Sequence, residues 1–297
     1  TAAGNSRTPF IVNVAGLVFN VVLDPVLIFG IGPFPELGVS GAAAATVTAQ
    51  ALVSLLFFKA VLREKVLFPH LRLWVLVPVK VWREIVRIGV PSAVQNLIYA
   101  GISMILTRLI TGWGDLAVAA QRVGSQIESV SWMVGDGFSA AVNAFLGQNY
   151  GAKRYDRVRR GYFCAIAMTA AWGLCTTFLL IGMARPLFSI FLQEEEVMAI
   201  GVNYLRIVGL SQMFMMVEQT SIGAFSGLGR TLYPSIVSVT FTSARIPVAV
   251  LLSSVMGLSG IWWALSISSM VKGCILFVSF VVFLYVFLER KKDEKTV

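Results

Sequence analysis

Long apolar runs alternate with short polar segments along the whole chain. A hydrocarbon core of about 30 Å needs about 20 mainly apolar residues in each helix, whereas barrel strands would show stretches of about ten residues with alternating hydrophobicity. The pattern therefore predicts an all-α, polytopic membrane protein. Its eight predicted transmembrane helices lie roughly at residues 9–30, 38–60, 88–110, 115–147, 161–183, 199–226, 232–255 and 258–287.

Composition indicates that lipid is the solvent of this chain. Of its 297 residues, 57% are hydrophobic and 13% are charged, whereas about 25% are charged in an ordinary soluble domain. A soluble globular domain, a disordered chain and a disulfide scaffold are therefore excluded. The three cysteines have no CxxC spacing and the single histidine is His70, so zinc and thiol chemistry are excluded as well.

The basic residues predict the orientation of the helices. Of the 24 lysines and arginines, eighteen fall in alternate loops or at the chain ends, whereas the opposite loops hold Arg108 and Arg185. Because basic residues are retained on the cytoplasmic side, we expect both termini of this chain in the cytoplasm and the protein in the cell membrane. The net charge of +9 thus indicates topology and not nucleic-acid binding. An amphipathic stretch at residues 79–88 predicts a helix on the inner membrane surface.

Two hairpins carry the same short motifs in the same order. Residues 4–8 (GNSRT) and 227–231 (GLGRT) open them, and residues 38–41 (GVSG) and 257–260 (GLSG) start their return helices. If the hairpins are equivalent, the second copy has six helices and the chain carries the last two helices of the first, so we expect four helices of the same protein before Thr1. Parallel repeats of this kind are typical of secondary transporters.

The repeat predicts four parts of the chain. They are the last two helices of an N-terminal lobe (1–61), a cytoplasmic linker with the interfacial helix (62–87), a six-helix C-terminal lobe (88–288) and a cytoplasmic tail (289–297).

Polar side chains inside the first hairpin are candidates for binding a cation. A charged side chain at the centre of a span costs about 2.5 to 3.5 kcal/mol on the insertion scale, so it is a functional candidate by default. Asn20 and Asp24 are four residues apart and share a helix face, and Thr46 lies at a similar depth on the return helix. Carboxylate, amide and hydroxyl oxygens suit a hard cation, and a desolvated carboxyl suits proton exchange. The alternative is a structural hydrogen-bond cluster.

A second set of polar side chains lies in the later spans. Glu218 and Arg245 differ in depth by about 7 Å, so they can form a buried ion pair; alternatively Glu218 attracts a cationic drug or a proton, with Arg245 or Lys272 as the competing positive charge. Gln95 and Asn96 are amides in the third predicted span, and hydrogen bonding between spans is the alternative to a role in binding. The candidates for the substrate path are Gln95, Asn96, Glu128, Glu218 and Arg245.

Several segments together resemble the multidrug and toxic compound extrusion (MATE) family. Its fifth and sixth helices resemble residues 20–30 (NVVLDPVLIFG) and 37–46 (LGVSGAAAAT), and the loop after its eighth helix resembles residues 147–152 (GQNYGA). Its tenth helix resembles residues 218–231 (EQTSIGAFSGLGRT), and its eleventh and twelfth helices resemble residues 245–247 (RIP) and 257–263 (GLSGIWW). The resemblance covers essentially the whole chain.

The resemblance implies a twelve-helix fold with two six-helix lobes. It implies a secondary active efflux transporter that exports organic cations or drugs in antiport with Na+ or H+, by alternating access and without any other cofactor. Asn20, Asp24 and Thr46 fall where the family has the Asn, Asp and Thr of its N-lobe cation site.

Three alternatives predict different features. A lipid-linked oligosaccharide flippase of the same superfamily would have a strongly basic central cavity and often two extra helices. A membrane enzyme would need a cluster such as HExxH or GxSxG, which the sequence lacks. A channel would show a repeated selectivity ring.

Overall fold

A computed structural model describes the backbone of residues 5–63 and 78–293, and the side chains of residues 5–62 and 78–286. Its described residues form eleven α-helices and divide into two units, within residues 1–77 and 78–297. The helices are α1 (Arg7–Phe29), α2 (Gly38–Arg63), α3 (Val79–Thr111), α4 (Asp115–Gly151), α5 (Tyr155–Gly182), α6 (Ala184–Ser189), α7 (Glu195–Gly209), α8 (Gln212–Gly227), α9 (Leu232–Ser243), α10 (Arg245–Met256) and α11 (Leu258–Asp293).

The described helices confirm the all-α membrane fold. Six spans are long and apolar enough to cross a membrane, and the α7–α8 pair, bent by 50°, gives a seventh. The remaining predicted segment, residues 115–147, corresponds to α4, which has 37 residues and a length of about 55 Å but carries more polar side chains. Two predicted spans are each built from two helices, because the chain breaks between α7 and α8 and again between α9 and α10.

The first unit is the hairpin of α1 and α2. Its helices approach closely at small residues: a Cβ atom placed on Gly41 would lie 2.3 Å from the carbonyl oxygen of Leu27, and one on Gly16 would lie 2.1 Å from a side-chain carbon of Val53. Small residues at such contacts allow the backbones of membrane helices to pack together. The two contacts set the antiparallel register of α1 and α2.

The second hairpin, α9–α10 with α11, repeats the geometry of the first. Gly38, the first residue of α2, and Gly257, which directly precedes α11, have φ of +53° and +62°, in a left-handed region that favours glycine. A Cβ atom on Gly260 would lie 2.3 Å from the carbonyl oxygen of Leu252, which matches the contact between Gly41 and Leu27. The two hairpins thus share a positive-φ glycine and a close glycine contact, and their equivalence as copies of a repeat stays a prediction.

The second unit is a bundle with three buried apolar clusters. One lies around Tyr162, Phe225 and Phe280, where the rings of Phe225 and Phe280 meet edge to face at 4.9 Å between centroids. A second lies around Phe188 and Trp262. The third joins α3, α4, α10 and α11. These clusters hold together the helices of this unit, which carry the candidate residues Glu128, Glu218 and Arg245.

The segment at residues 79–88 forms the first turns of α3, and α3 continues through Pro91 without a break. A surface helix separate from the following span, as the amphipathic pattern suggested, is therefore not observed. Contact with the membrane surface stays a prediction for these turns. The rest of the predicted linker, residues 64–77, lies outside the described residues.

The closest approach of α4 and α8 provides a test of the packing. A Cβ atom on Gly223 of α8 would lie 2.3 Å from the carbonyl oxygen of Ser139 on α4. Because this contact is with backbone, we expect Gly223→Ala to separate the helices and lower the free energy of unfolding by about 1–3 kcal/mol. Thermal unfolding of the purified protein in detergent measures the loss.

Gly137 on α4 is the matched control, because a Cβ atom there meets nothing within 4 Å. Gly137→Ala should leave the unfolding temperature unchanged or raise it, since alanine favours the helix by up to about 1 kcal/mol. Equal unfolding temperatures for the two variants would contradict the packing described for α4 and α8.

Candidate functional site

The first candidate site lies in the hairpin unit. Nδ2 of Asn20 donates to Oδ1 of Asp24 over 3.4 Å, which is long for a hydrogen bond, and both side chains are half-buried. The structure thus brings these two predicted residues together on one face of α1. The weak bond leaves most of the acceptor capacity of the carboxylate open to a ligand.

Thr46 is at the expected depth but does not complete the cluster. The register of the hairpin places it opposite residues 22 and 23, within about one helical turn of Asp24. Its side chain is exposed, however, and its hydroxyl donates to the carbonyl oxygen of Ala42 over 3.0 Å. A bond to the preceding turn is a common alternative for threonine in a helix. A shared site of all three residues therefore stays a prediction.

The second candidate site centres on Glu128 of α4 in the six-span unit. The Tyr204 hydroxyl donates to Oε2 of Glu128 over 3.0 Å, and Nε2 of Gln212 donates to Oε1 over 3.1 Å. Each carboxylate oxygen therefore has one donor and keeps further lone pairs. Glu128 itself is half-buried, so the structure places a bonded but incompletely enclosed carboxylate between α4, α7 and α8.

A break in the helix brings Gln212 to this carboxylate. α7 ends at Gly209 and α8 begins at Gln212 with a 50° change of direction. Broken helices in transporters commonly form the binding sites, because irregular backbone is tolerated where it lines a site or is buried. The sequence predicted an unbroken span at residues 199–226, and Gly209 with Ser211 was the signal for a kink.

Hydroxyl groups satisfy the carbonyl groups that the break releases. The hydroxyl of Ser211 donates to the Val208 carbonyl over 2.8 Å, that of Thr177 to the Gly209 carbonyl over 2.9 Å, and that of Ser266 to the Ile207 carbonyl over 2.8 Å. Three hydroxyls, one within the break and one each on α5 and α11, thus hold the bend in place. The bend is a built feature of the fold and not a loose region.

One acceptor beside the bend has no hydrogen-bond partner among the described residues. Gln212 is fully enclosed, and its Oε1 is buried without a donor from that part of the chain. The orientation of the amide follows from chemistry, because exchanging its oxygen and nitrogen would place an oxygen against the Glu128 carboxylate. An unpaired buried acceptor costs about 1–3 kcal/mol. Such a cost marks a site that water, an ion or a substrate group can satisfy.

The ion pair expected between Glu218 and Arg245 is not formed. Nζ of Lys272 on α11 instead donates to Oε1 of Glu218 over 2.7 Å, and both residues are buried. Arg245 is bonded to the hydroxyls of Ser268 and Ser269, each at 3.0 Å. Lys272, noted in the sequence as a competing positive charge, reaches Glu218 because α8 and α11 pack together, which spacing along the chain could not show.

The charged side chains of this unit form one electrostatic cluster. Arg245 interacts electrostatically with both Glu128 and Lys272, and Lys272 is bonded to Glu218. Two carboxylates and two basic groups therefore compensate each other inside the apolar bundle. We refer to Glu128, Glu218, Arg245 and Lys272 as the charge tetrad.

The two amides predicted on α3 lie at the edge of this region. Gln95 is half-buried and Asn96 is exposed. Tyr99, four residues after Gln95, is within electrostatic range of Tyr204. The face of α3 that carries Gln95 therefore lies near the Glu128 site.

A helical bundle that keeps compensated charges and a broken span in an apolar interior is typical of membrane transporters. Sequence comparison gives the family. The MatE family model matches residues 91–251, more than half of the chain, and the chain belongs to the MatE family.

Relatives and solved structures agree with this assignment. The chain is 32% identical over 274 residues to the Thermotoga maritima protein named "Probable multidrug resistance protein NorM", a match that covers 88% of this chain and 56% of that protein. It is 26% identical over 278 residues to a Shewanella oneidensis protein named "FAD transporter", covering 92% and 60% of the two chains. The chain thus spans less than two thirds of the length of these relatives.

The fold is that of a solved transporter. A crystal structure of a mutant of the Vibrio cholerae MATE transporter VcmN matches with a TM-score of 0.82 and 23% identity, over 97% of this chain and 65% of that one. The expectation of a MATE-type fold is confirmed, and the family to which the chain belongs is one of transporters and not of enzymes.

The buried ion pair of Glu218 and Lys272 makes a quantitative prediction. Lys272→Met leaves the Glu218 carboxylate buried without its ammonium partner, so we expect a loss of about 3–5 kcal/mol in the free energy of unfolding. The double variant Glu218→Leu with Lys272→Met should recover most of this loss, because apolar replacement of both partners is often close to neutral. Thermal unfolding in detergent compares the variants.

The exposed pair of Arg185 and Glu195 is the control, with side chains 67% and 72% exposed. Arg185→Met should cost less than about 1 kcal/mol, because solvent screens the pair. A double variant as unstable as Lys272→Met alone would show that the loss arises from packing and not from an unpaired charge.

Proposed function

We propose that the protein containing this chain is a secondary active efflux transporter, which exports organic cations or drugs across the cell membrane in antiport with Na+ or H+ by alternating access. Membership of the MatE family supports this proposal, as does the multidrug resistance name of the Thermotoga relative. In such a mechanism the ion and the substrate each shift the transporter toward the state they bind more tightly.

The geometry of the Glu128 site is the observation that supports a cationic substrate. Its accessible acceptors are the remaining lone pairs of the half-buried Glu128 carboxylate, and Oε1 of Gln212 is a further acceptor that is enclosed beside it. A substrate with positive charge or N–H donors matches this set of acceptors. The basic members of the charge tetrad are already bonded, Lys272 to Glu218 and Arg245 to two hydroxyls.

The same contacts argue against an anionic substrate. The Shewanella relative is named an FAD transporter, and FAD carries negative phosphates, so an anion would have to displace the existing partners of Arg245 or Lys272. The lipid-linked oligosaccharide flippase requires a strongly basic cavity, which a tetrad with two acidic and two basic members does not provide. The comparisons give the flippase no support, and the cation exporter is the better proposal.

The hairpin pair of Asn20 and Asp24 is the proposed site of the coupling ion. Two oxygen-bearing side chains lie on one face of α1, and oxygen ligands suit Na+, while a single carboxylate suffices for H+. Thr46 contributes an oxygen in this proposal if its side chain turns from the Ala42 carbonyl toward Asp24.

Substitution of Asp24 tests the coupling site. In the full-length protein, Asp24→Asn removes the negative charge with little change in shape, so we expect ion-driven ethidium efflux to be abolished while expression persists. Everted vesicles under separate Na+ and H+ gradients measure the efflux and identify the coupling ion. Asp115→Asn, in the exposed first turn of α4, is the control and should keep normal efflux. Normal efflux by Asp24→Asn would refute the assignment.

Substitution of Glu128 tests the substrate site separately. Glu128→Gln keeps the size of the side chain but removes its charge, and a hydrogen bond to a charged group contributes about 1.5–3 kcal/mol. We therefore expect efflux of ethidium to fall about tenfold or more at low substrate concentration. Glu194→Gln, an exposed substitution before α7, should have no effect. Unchanged efflux by Glu128→Gln would show that the substrate does not bind at the α7–α8 bend.

A further inference from the structure

A cavity outside the Glu128 site and the hairpin site opens on the first turns of α5. Its volume is about 480 Å³, and it is lined by Asp156, Arg159, Arg160 and Phe163. Positions i, i+3, i+4 and i+7 share one face of a helix. The cavity therefore presents two guanidinium groups and an aromatic ring together, a combination that neither the Glu128 site nor the hairpin site uses.

Arg159 is held in position by α11. Its Nη2 donates to the hydroxyl of Tyr285 over 2.7 Å, and its guanidinium carbon lies 4.6 Å from the centroid of the Tyr285 ring. One hydrogen bond uses one of the five N–H donors of an arginine. The side chain is thus fixed in direction by a stacked ring and keeps most of its donors, which lowers the entropic cost of binding an anion.

The surroundings of the cavity are strongly basic. Residues 153–160 contain five lysines and arginines and one acid, Asp156. Asp156 lines the cavity within one helical turn of both arginines, so its carboxylate reduces the positive charge there without cancelling it. Arginine pairs bind phosphate oxygens through parallel hydrogen bonds. The chemistry of the cavity therefore fits a group with a single phosphate charge.

The position of the cavity indicates which phosphate it meets. It lies at the basic end of α5, where the apolar span begins. Large apolar side chains are exposed along α5 and along α11, which contacts Arg159 through Tyr285. Met168 and Phe178 on α5 are 54% and 73% exposed, and Val278 and Val282 on α11 are 57% and 53% exposed. A phosphate at the polar boundary with acyl chains over this apolar surface is a phospholipid.

We infer that this cavity binds the phosphate of an anionic phospholipid, with Arg159 and Arg160 as its ligands and Tyr285 as the residue that positions Arg159. Basic pockets between transmembrane helices are suited to such headgroups. The inference does not depend on the transport proposal, because none of these residues belongs to the Glu128 site or to the hairpin site.

Native mass spectrometry of the full-length protein, delipidated in detergent and titrated with phosphatidylglycerol, tests the inference. We expect Arg159→Gln with Arg160→Gln to weaken phosphatidylglycerol binding at least about tenfold, because two phosphate ligands are lost. The matched control is Arg154→Gln with Arg157→Gln, which removes the same charge from the same segment but outside the cavity. The control should weaken binding less than about twofold.

Two further measurements separate this site from general attraction. Phosphatidylcholine should bind at least about tenfold more weakly than phosphatidylglycerol to the parent protein, and inorganic phosphate at millimolar concentration should not displace the lipid. Tyr285→Phe keeps the ring but removes the hydroxyl that accepts from Arg159, so it should weaken binding to an intermediate degree without the loss of two charges. This variant keeps the test valid if the double arginine variant does not fold.

Three outcomes would overturn the inference. Equal losses in the two double variants would show that net charge and not the cavity attracts the lipid. Displacement by inorganic phosphate would show an anion site without lipid specificity. Unchanged binding by both the double arginine variant and Tyr285→Phe would place the lipid elsewhere.

Discussion

Hydrocarbon offers no hydrogen bonds, so every polar group inside a span of this chain needs a partner from the protein. The structure meets this constraint in different ways at the helix bend and at the buried charges, whereas Oε1 of Gln212 has no partner among the described residues. Hydroxyls of Ser211, Thr177 and Ser266 satisfy the carbonyl groups at the α7–α8 bend, and Lys272 neutralises Glu218. The bend and the buried charges persist only because these partners are present, and the Glu128 site in turn depends on the bend.

Close contact between helices makes these partnerships possible. α4 and α8 approach until a Cβ atom on Gly223 would lie 2.3 Å from the Ser139 carbonyl oxygen and one on Gly227 2.5 Å from the Asn143 carbonyl oxygen. At this separation the side chain of Gln212 reaches the Glu128 carboxylate. Glycine at the interface is therefore part of the site, although it contributes no side chain.

The two hairpins share a backbone design but differ in charge. Asn20 lies seven residues before Leu27, which contacts Gly41, and Arg245 lies seven residues before Leu252, which contacts Gly260. The repeat thus places a basic residue in the second hairpin where the first has an amide next to Asp24. A cation site built on this face of the first hairpin is therefore not reproduced in the second, and the acidic members of the charge tetrad, Glu128 and Glu218, stand on α4 and α8 instead.

The sequence by itself determined the helical spans, the hairpin repeat and the neighbouring positions of Asn20 and Asp24, because these follow from hydrophobic length and from the 3.6-residue helical period along one segment. It also identified Glu128 and Glu218 as candidates, since charges in apolar runs are visible without a structure. Only the tertiary structure decided which partners these carboxylates take. Tyr204 and Gln212 reach Glu128, and Lys272 displaces Arg245 at Glu218, because these contacts depend on the bend of one span and the close packing of helices that lie 54 to 84 residues apart in the chain.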